Sequence, residues 1–384
     1  MKKNQSFVVF GIFIFLSQIS FFDALGQRSS ENRPSSRHRT SQNDLTSNEN
    51  LSDDQQEISD EKQSDHSENQ QRSEPFDQRS SMNSRQSAQG RSQVLPLMQA
   101  IEKAGATDKI LLNQRDFVTQ DFVQLVADYR KGKADKETIP VLLLHGKKGK
   151  KEDWDSLAIF LAQNGMAVLA PDLRGHGAST KRMVEDYSFG DRPMPRFDNK
   201  YLVDRFDMSD YEAMIEYDGR LWFQFLILRH NQGKLNIRKL IIIGADLGAT
   251  IGAAWAKNDW SNKKGQFTKA LILLSPYSTD CLPFLEKLKK RITSNSIKMI
   301  IFVGGLQNEY LESSKVIQEK IGGKEKAETP LEEQKVPLFA IKTEKEGVEL
   351  TKVESFKLPQ TFLDFILVRI ESLKKSSVEW DEIN

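Results

Sequence analysis

The chain has 384 residues, with 55 Lys and Arg against 54 Asp and Glu and a formal net charge of +1, so it has no overall basic field to hold a polyanion, which argues against a nucleic-acid partner. Its length accommodates one large α/β domain, or two ordinary ones, plus tails. Cys281 is the single cysteine, which rules out an intramolecular disulfide and leaves stability to the core.

The N-terminus opens on Met1-Lys2-Lys3, followed by an apolar run from Phe7 to Phe22 and small residues at Ala24 and Gly26. A basic head, an apolar stretch and small residues spaced for cleavage describe a signal peptide over 1–26, with a mature chain beginning near Gln27. This predicts an exported protein, periplasmic or extracellular. The alternative is an uncleaved anchor in the inner membrane, although the run falls short of the ~20 apolar residues that span a bilayer. That segment is the only membrane contact the sequence offers. Residues 27–94 are Ser, Gln, Asn, Asp, Glu and Arg with hardly any large apolar side chain, so they are expected to form a disordered polar linker.

From about residue 95 to 375 apolar runs alternate with amphipathic ones, and 376–384 is a short tail. The predicted strands are Phe122–Tyr129, Val141–His145, Ala167–Pro171, Leu240–Gly244, Ala270–Leu274, Lys298–Val303 and Leu338–Lys342. The predicted helices are Trp154–Asn164, Ser209–Asn231, Ala249–Asn258, Tyr310–Ile321 and Leu358–Ser372. Short, continuously apolar strands separated by helices mean a parallel sheet covered on both faces, so the fold class is α/β with a doubly wound, mostly parallel sheet. Residues 181–208, rich in Asp, Arg, Pro and Tyr without a clear period, read as a short cap inserted over the sheet's C-terminal edge.

Three segments carry chemistry. A buried strand ends in His145-Gly146; another leads into Pro171-Asp172-Leu173-Arg174-Gly175-His176-Gly177-Ala178-Ser179; a third turns through Gly244-Ala245-Asp246-Leu247-Gly248 into a helix. In this order and spacing the chain resembles the α/β-hydrolase superfamily, from about Phe122 to Ile370, and on its serine-hydrolase side. The resemblance implies that the central residue of the Gly-x-nucleophile-x-Gly turn is the nucleophile, usually serine. Here it is Asp246, a residue that tolerates the strained turn. One branch of the superfamily, the haloalkane dehalogenases and epoxide hydrolases, uses aspartate there, with a histidine after the last strand to activate water. The corresponding stretch, Ile341 to Val353, has no histidine, and none follows His230 anywhere in the chain. At the acid position the resemblance points to Asn308 or Glu309. The oxyanion donors would be the amides of Lys147 and Leu247.

The remaining motif residues, His145, Gly146, Asp172, Gly175, His176, Gly177, Gly244 and Gly248, are expected to be framework. His230, at the end of a helix, is expected to satisfy carbonyls there. Asp246 itself is expected to serve as helix cap and counter-charge beneath a basic loop that carries Lys147, Lys148, Lys150 and Lys151. No phosphate-binding glycine loop or zinc-spaced cluster occurs, so neither cofactor nor metal is expected. These residues predict an exported relative of the serine hydrolases that lacks ordinary hydrolase activity and acts by binding or scaffolding, with a small-molecule ligand as partner. The alternative is a hydrolase of ester-like or small organic substrates with Asp246 as nucleophile or base. A weaker reading makes the polar tail the functional part. An imidazole within reach of Asp246 would separate the first two.

Overall fold

The computed structural model describes residues 97–383 apart from 114–116, 187–193, 199–200, 262–265, 307, 324–328, 330–332, 355–356 and 373–378. The expected signal peptide and polar linker lie outside the described residues.

The strands are β1 (Ile110–Leu112), β2 (Val123–Gln124), β3 (Ala127–Arg130), β4 (Pro140–Leu144), β5 (Ala167–Pro171), β6 (Lys181–Asp186), β7 (Met194–Asp198), β8 (Leu240–Ala245), β9 (Thr268–Leu274), β10 (Lys298–Gly304) and β11 (Leu338–Ile341). The helices are α1 (Asp155–Gln163), α2 (Met208–Ala213), α3 (Gly219–Asn231), α4 (Leu247–Ser261), α5 (Ser278–Thr293), α6 (Asn308–Ile317) and α7 (Leu358–Glu371). Eight strands form one sheet in the order β1-β3-β5-β4-β8-β9-β10-β11. Only β3 runs against its neighbours, and every pair from β5 to β11 is parallel. All residues of β4, β5, β8 and β9 are buried. Their unbroken apolar runs have that cause: helices cover both faces, with α1 and α7 packed together and α4 packed on α5.

Local chemistry explains where the elements differ from expectation. The run Phe122–Tyr129 is not one strand. It divides at Leu125 into β2, which joins a small separate sheet, and β3, which enters the main one. The cap residues 181–208, which show no period, form a hairpin of β6 and β7 that completes the order β2-β6-β7. The 16-residue helix α5 was not foreseen, because Pro283 lies inside it and reads as a break. Its buried Cys281, Leu285, Leu288 and Ile292 nevertheless keep helical spacing. The long helix predicted over Ser209–Asn231 is present as α2 and α3 joined by a π-helical turn, Met214–Asp218.

The chain leaves β4 for β5 on one side and later returns as β8 on the other. The loops after β4 and β8 therefore part at the C-terminal edge, where open α/β sheets form their ligand crevice.

Candidate functional site

The turn after β8 occupies that crevice. Asp246 has φ +49°, a left-handed backbone that aspartate tolerates better than most residues. A Cβ on Gly244 would stand 2.3 Å from the carbonyl oxygen of Gly248, and one on Gly248 would stand 2.2 Å from that of Leu144. Gly244 is thus required for strand β8 and helix α4 to approach so closely, and Gly248 for α4 to approach the end of β4.

The loop after β4 meets this turn directly. The Lys147 amide donates to Asp246 Oδ2 at 2.9 Å. The carboxylate of Asp246 thus bonds across the crevice rather than capping its own helix, a correction to the cap expected from sequence; the backbone carbonyl of Asp246 accepts from Ala249 in the first turn of α4. One of the two expected oxyanion donors, Lys147, is thereby engaged by the residue at the nucleophile position itself. Leu247, the other, begins α4 beside it. Lys147, Lys148 and Lys150 are exposed, whereas Lys151 is buried among Asp128, Glu152 and Asp172.

The two motif histidines are turned to the framework. His145 Nε2 accepts from the Leu173 amide at 3.0 Å, so its proton sits on Nδ1, which lies 2.8 Å from the carbonyl oxygen of Gly146. Burial holds this imidazole neutral, with its pKa lowered to about 4. His176 packs edge-on against it, ring centroids 5.1 Å apart, and its Nδ1 faces the Arg174 carbonyl oxygen at 3.0 Å. Burial also lowers the pKa of His176. His230, the third described histidine, contacts the carbonyl oxygens of Leu235 and Asp381. None of the three bonds to Asp246.

Asp172 ties the same loops, its Oδ1 accepting from Lys151 N at 2.8 Å and its Oδ2 from Ala178 N at 2.9 Å. Gly177 is left without a side chain because a Cβ there would lie 2.2 Å from Asp172 Oδ1, and Gly175 because its Cβ would meet Phe206 at 2.4 Å. Arg174 is fully buried and donates to Asp218 through Nε at 3.0 Å and to Asp121 through Nη1 at 2.7 Å.

Sequence reasoning placed the acid at Asn308 or Glu309. Both open helix α6 and are exposed. Two other residues, Glu346 and Tyr310, feel the Asp246 charge. Gly347 donates from its amide to Ser275 Oγ at 3.0 Å, which draws the loop after β11 over the crevice and brings in Glu346. Burial raises the Glu346 carboxyl above the usual range, the Asp246 carboxylate adds to that, and the neighbouring Tyr310 hydroxyl works the other way. Burial and then the Tyr277 hydroxyl raise the Tyr310 phenol, with Asp246 and Glu346 contributing, and the two tyrosine rings lie 4.6 Å apart. Glu346 lies within Ile341–Val353, the stretch where the resemblance places a histidine. Among the described residues no group of three or more His, Cys, Asp or Glu side chains could hold a metal ion.

The strand order, with one antiparallel strand near the β1 edge and a glycine-flanked turn after β8, coincides with a family match: the model of the α/β hydrolase fold matches residues 139–296. The chain has the α/β-hydrolase fold. Among solved structures, this α/β-hydrolase chain is similar to an esterase from Pyrococcus furiosus, at 16% identity, 68% of this chain and 92% of that one, with a TM-score of 0.43. It is also similar to an α/β serine hydrolase homologue from Coxiella burnetii, at 15% identity, 68% and 99% coverage and TM-score 0.41. A dienelactone hydrolase from Anabaena variabilis aligns at 12% identity, 68% and 97% coverage and TM-score 0.40. No curated protein sequence matches the chain.

Proposed function

We propose that this α/β-hydrolase domain is non-hydrolytic and acts by binding a small ligand at the crevice over Asp246. The observation that carries the reading is the bond from the Lys147 amide to Asp246 Oδ2. An oxyanion hole stabilises negative charge that develops on substrate, and here a resident carboxylate already takes one of its donors. An acyl oxygen would have to displace that carboxylate. Among the described residues no imidazole bonds to Asp246 to direct water onto an acyl or alkyl intermediate. Glu346 feels the Asp246 charge and bonds to Tyr310, whose ring packs on Tyr277, so a ligand seated beside this group must offer hydrogen-bond donors or positive charge. The export read from Met1–Gln27 would place this binding outside the cytoplasm, and the mass of the mature N-terminus checks it.

The test is turnover of p-nitrophenyl acetate by the purified protein, by Asp246→Ala and by Asp246→Ser. The wild type is expected at least ~10³-fold below the enzyme median of ~10 s⁻¹. Asp246→Ser is expected to fold and to gain no esterase activity, because a serine without a base stays protonated. Turnover near the median that is lost in Asp246→Ala and in Glu346→Gln would overturn the proposal and make the pair a nucleophile and base.

A further inference from the structure

Residues 379–383 belong to no helix or strand, and the main sheet is complete without them. They are nonetheless held by side chains projecting from the end of α3 and the 3-10 turn Ile237–Lys239. Asn231 pairs with both backbone groups of one residue: its Nδ2 donates to the Ile383 carbonyl oxygen at 2.8 Å, and its Oδ1 accepts from the Ile383 amide at 3.0 Å. A carboxamide is the one side-chain type that can meet a peptide unit as another strand would, donor to acceptor and acceptor to donor. His230 Nε2 donates to the Asp381 carbonyl oxygen at 2.6 Å.

Side-chain anchors then set the pattern. Trp380 donates from Nε1 to the His230 carbonyl oxygen at 3.1 Å, its ring lies 5.1 Å from that of His230, and Lys136 Nζ stands 3.8 Å from its centroid. Asp381 pairs with Arg238 at 2.5 Å, and Ile383 packs against the hydrophobic core.

We propose that this groove is a peptide-recognition site whose partner is an extended segment carrying an indole, then an acid, then an aliphatic residue two positions later. The chain's own Trp380-Asp381-Glu382-Ile383 fills it in cis. Backbone contacts from His230 and Asn231 supply sequence-independent affinity, and the three anchors supply selectivity, which is the division of labour in peptide capture along a strand. Because the receptor side chains sit on regular elements, the site is formed before the peptide arrives. A cis segment on a short link competes at an effective concentration of millimolar order, so an outside peptide of the same pattern is masked 10- to 100-fold until that segment is released.

The experiment uses a fluorescein-labelled peptide of residues 379–384 and reads anisotropy. The unaltered chain should bind it weakly, and the Trp380→Ala chain at least tenfold more tightly. Adding Asn231→Ala to that variant should abolish binding, as should Trp380→Ala in the peptide. Equal affinity for the unaltered and opened chains would overturn the proposal, as would no binding by a Trp380→Ala chain that keeps its melting temperature. If Trp380→Ala proves unstable, millimolar peptide must raise its melting temperature in trans; no rise counts against the site. Dimerisation of the opened chain without peptide would name a second copy as the occupant.

Discussion

His145 shows how a side chain that looks catalytic in sequence is spent on structure. Its Nε2 lone pair takes the Leu173 amide and its Nδ1 proton faces its own loop, so it has no free nitrogen for a substrate. The same arrangement makes it an acid sensor of folding. With the folded pKa near 4 and the unfolded value near 6.5, the unfolded chain binds the proton more readily between those limits. Stability from this residue is therefore whole above pH 6.5 and is lost as pH falls toward 4, by about 3 kcal/mol, and His176 adds in the same direction. Asp218 opposes it, because burial pushes that carboxyl up to about 7 and favours the folded state at the acid end. Comparing the wild type with His145→Gln cancels the Asp218 contribution. The stability difference between the two, from urea midpoints at pH 7 and pH 4.5, should narrow by about 2 kcal/mol at the lower pH. An unchanged difference would mean that His145 is charged in the folded state. Neither tautomer nor pKa was legible in the motif His145-Gly146; the tautomer depends on the Leu173 amide, 28 positions away, and the pKa on burial.

Among the elements, Arg174 joins parts that have no strand pairing in common: Asp121 before β2, the turn after β5, the π-helical turn at Asp218, and Tyr201 ahead of α2. The guanidinium is fully buried and the two carboxylates hold it charged. Replacing it with methionine keeps volume but leaves two carboxylates facing each other, which should cost about 3–5 kcal/mol in a denaturant midpoint. Arg174→Met with Asp218→Asn should recover part of that; no recovery would show that packing, not charge, is lost. Arg174 stands in the most specific motif of the sequence, yet its partners are not legible there, since Asp121 lies one residue ahead of the run expected as a single strand and Asp218 within a helix expected to be regular. Strand positions were legible wherever burial on both faces made the run continuously apolar, as in Leu240–Gly244. The helix at Ser278–Thr293 and the hairpin at 181–198 were not, because Pro283 masks one and polar composition the other. At the site, the strained turn at Asp246 was legible from its flanking glycines. The approach of Glu346 was not, because it rests on Gly347 bonding to Ser275.

For the molecule as a whole, the segment matched to the α/β hydrolase fold ends at residue 296, and β10, β11, α6 and α7 lie beyond it. Arg369, on α7, reaches back across that limit. It donates to the carbonyl oxygens of Lys269 at 3.0 Å, Asn295 at 2.7 Å and Ser296 at 2.8 Å, so the last helix is fastened to β9 and to the turn before β10. Burial lowers its pKa to about 10. The three carbonyl oxygens that accept from it offset the burial of this cation. Arg369→Met preserves the aliphatic stem and removes all three bonds, for an expected loss of about 3 kcal/mol. In a domain of this size that lowers the melting temperature by ~6–12 °C. The exposed Lys315→Met on α6 should change stability by less than ~0.5 kcal/mol. The crevice at Asp246 depends on this clamp only through the loop that carries Glu346, so any ligand that binds there should still saturate Arg369→Met at temperatures below its transition. If Arg369→Met melts with the wild type, the part beyond residue 296 is held by its apolar packing alone, and the buried guanidinium serves some purpose other than joining the two halves of the sheet.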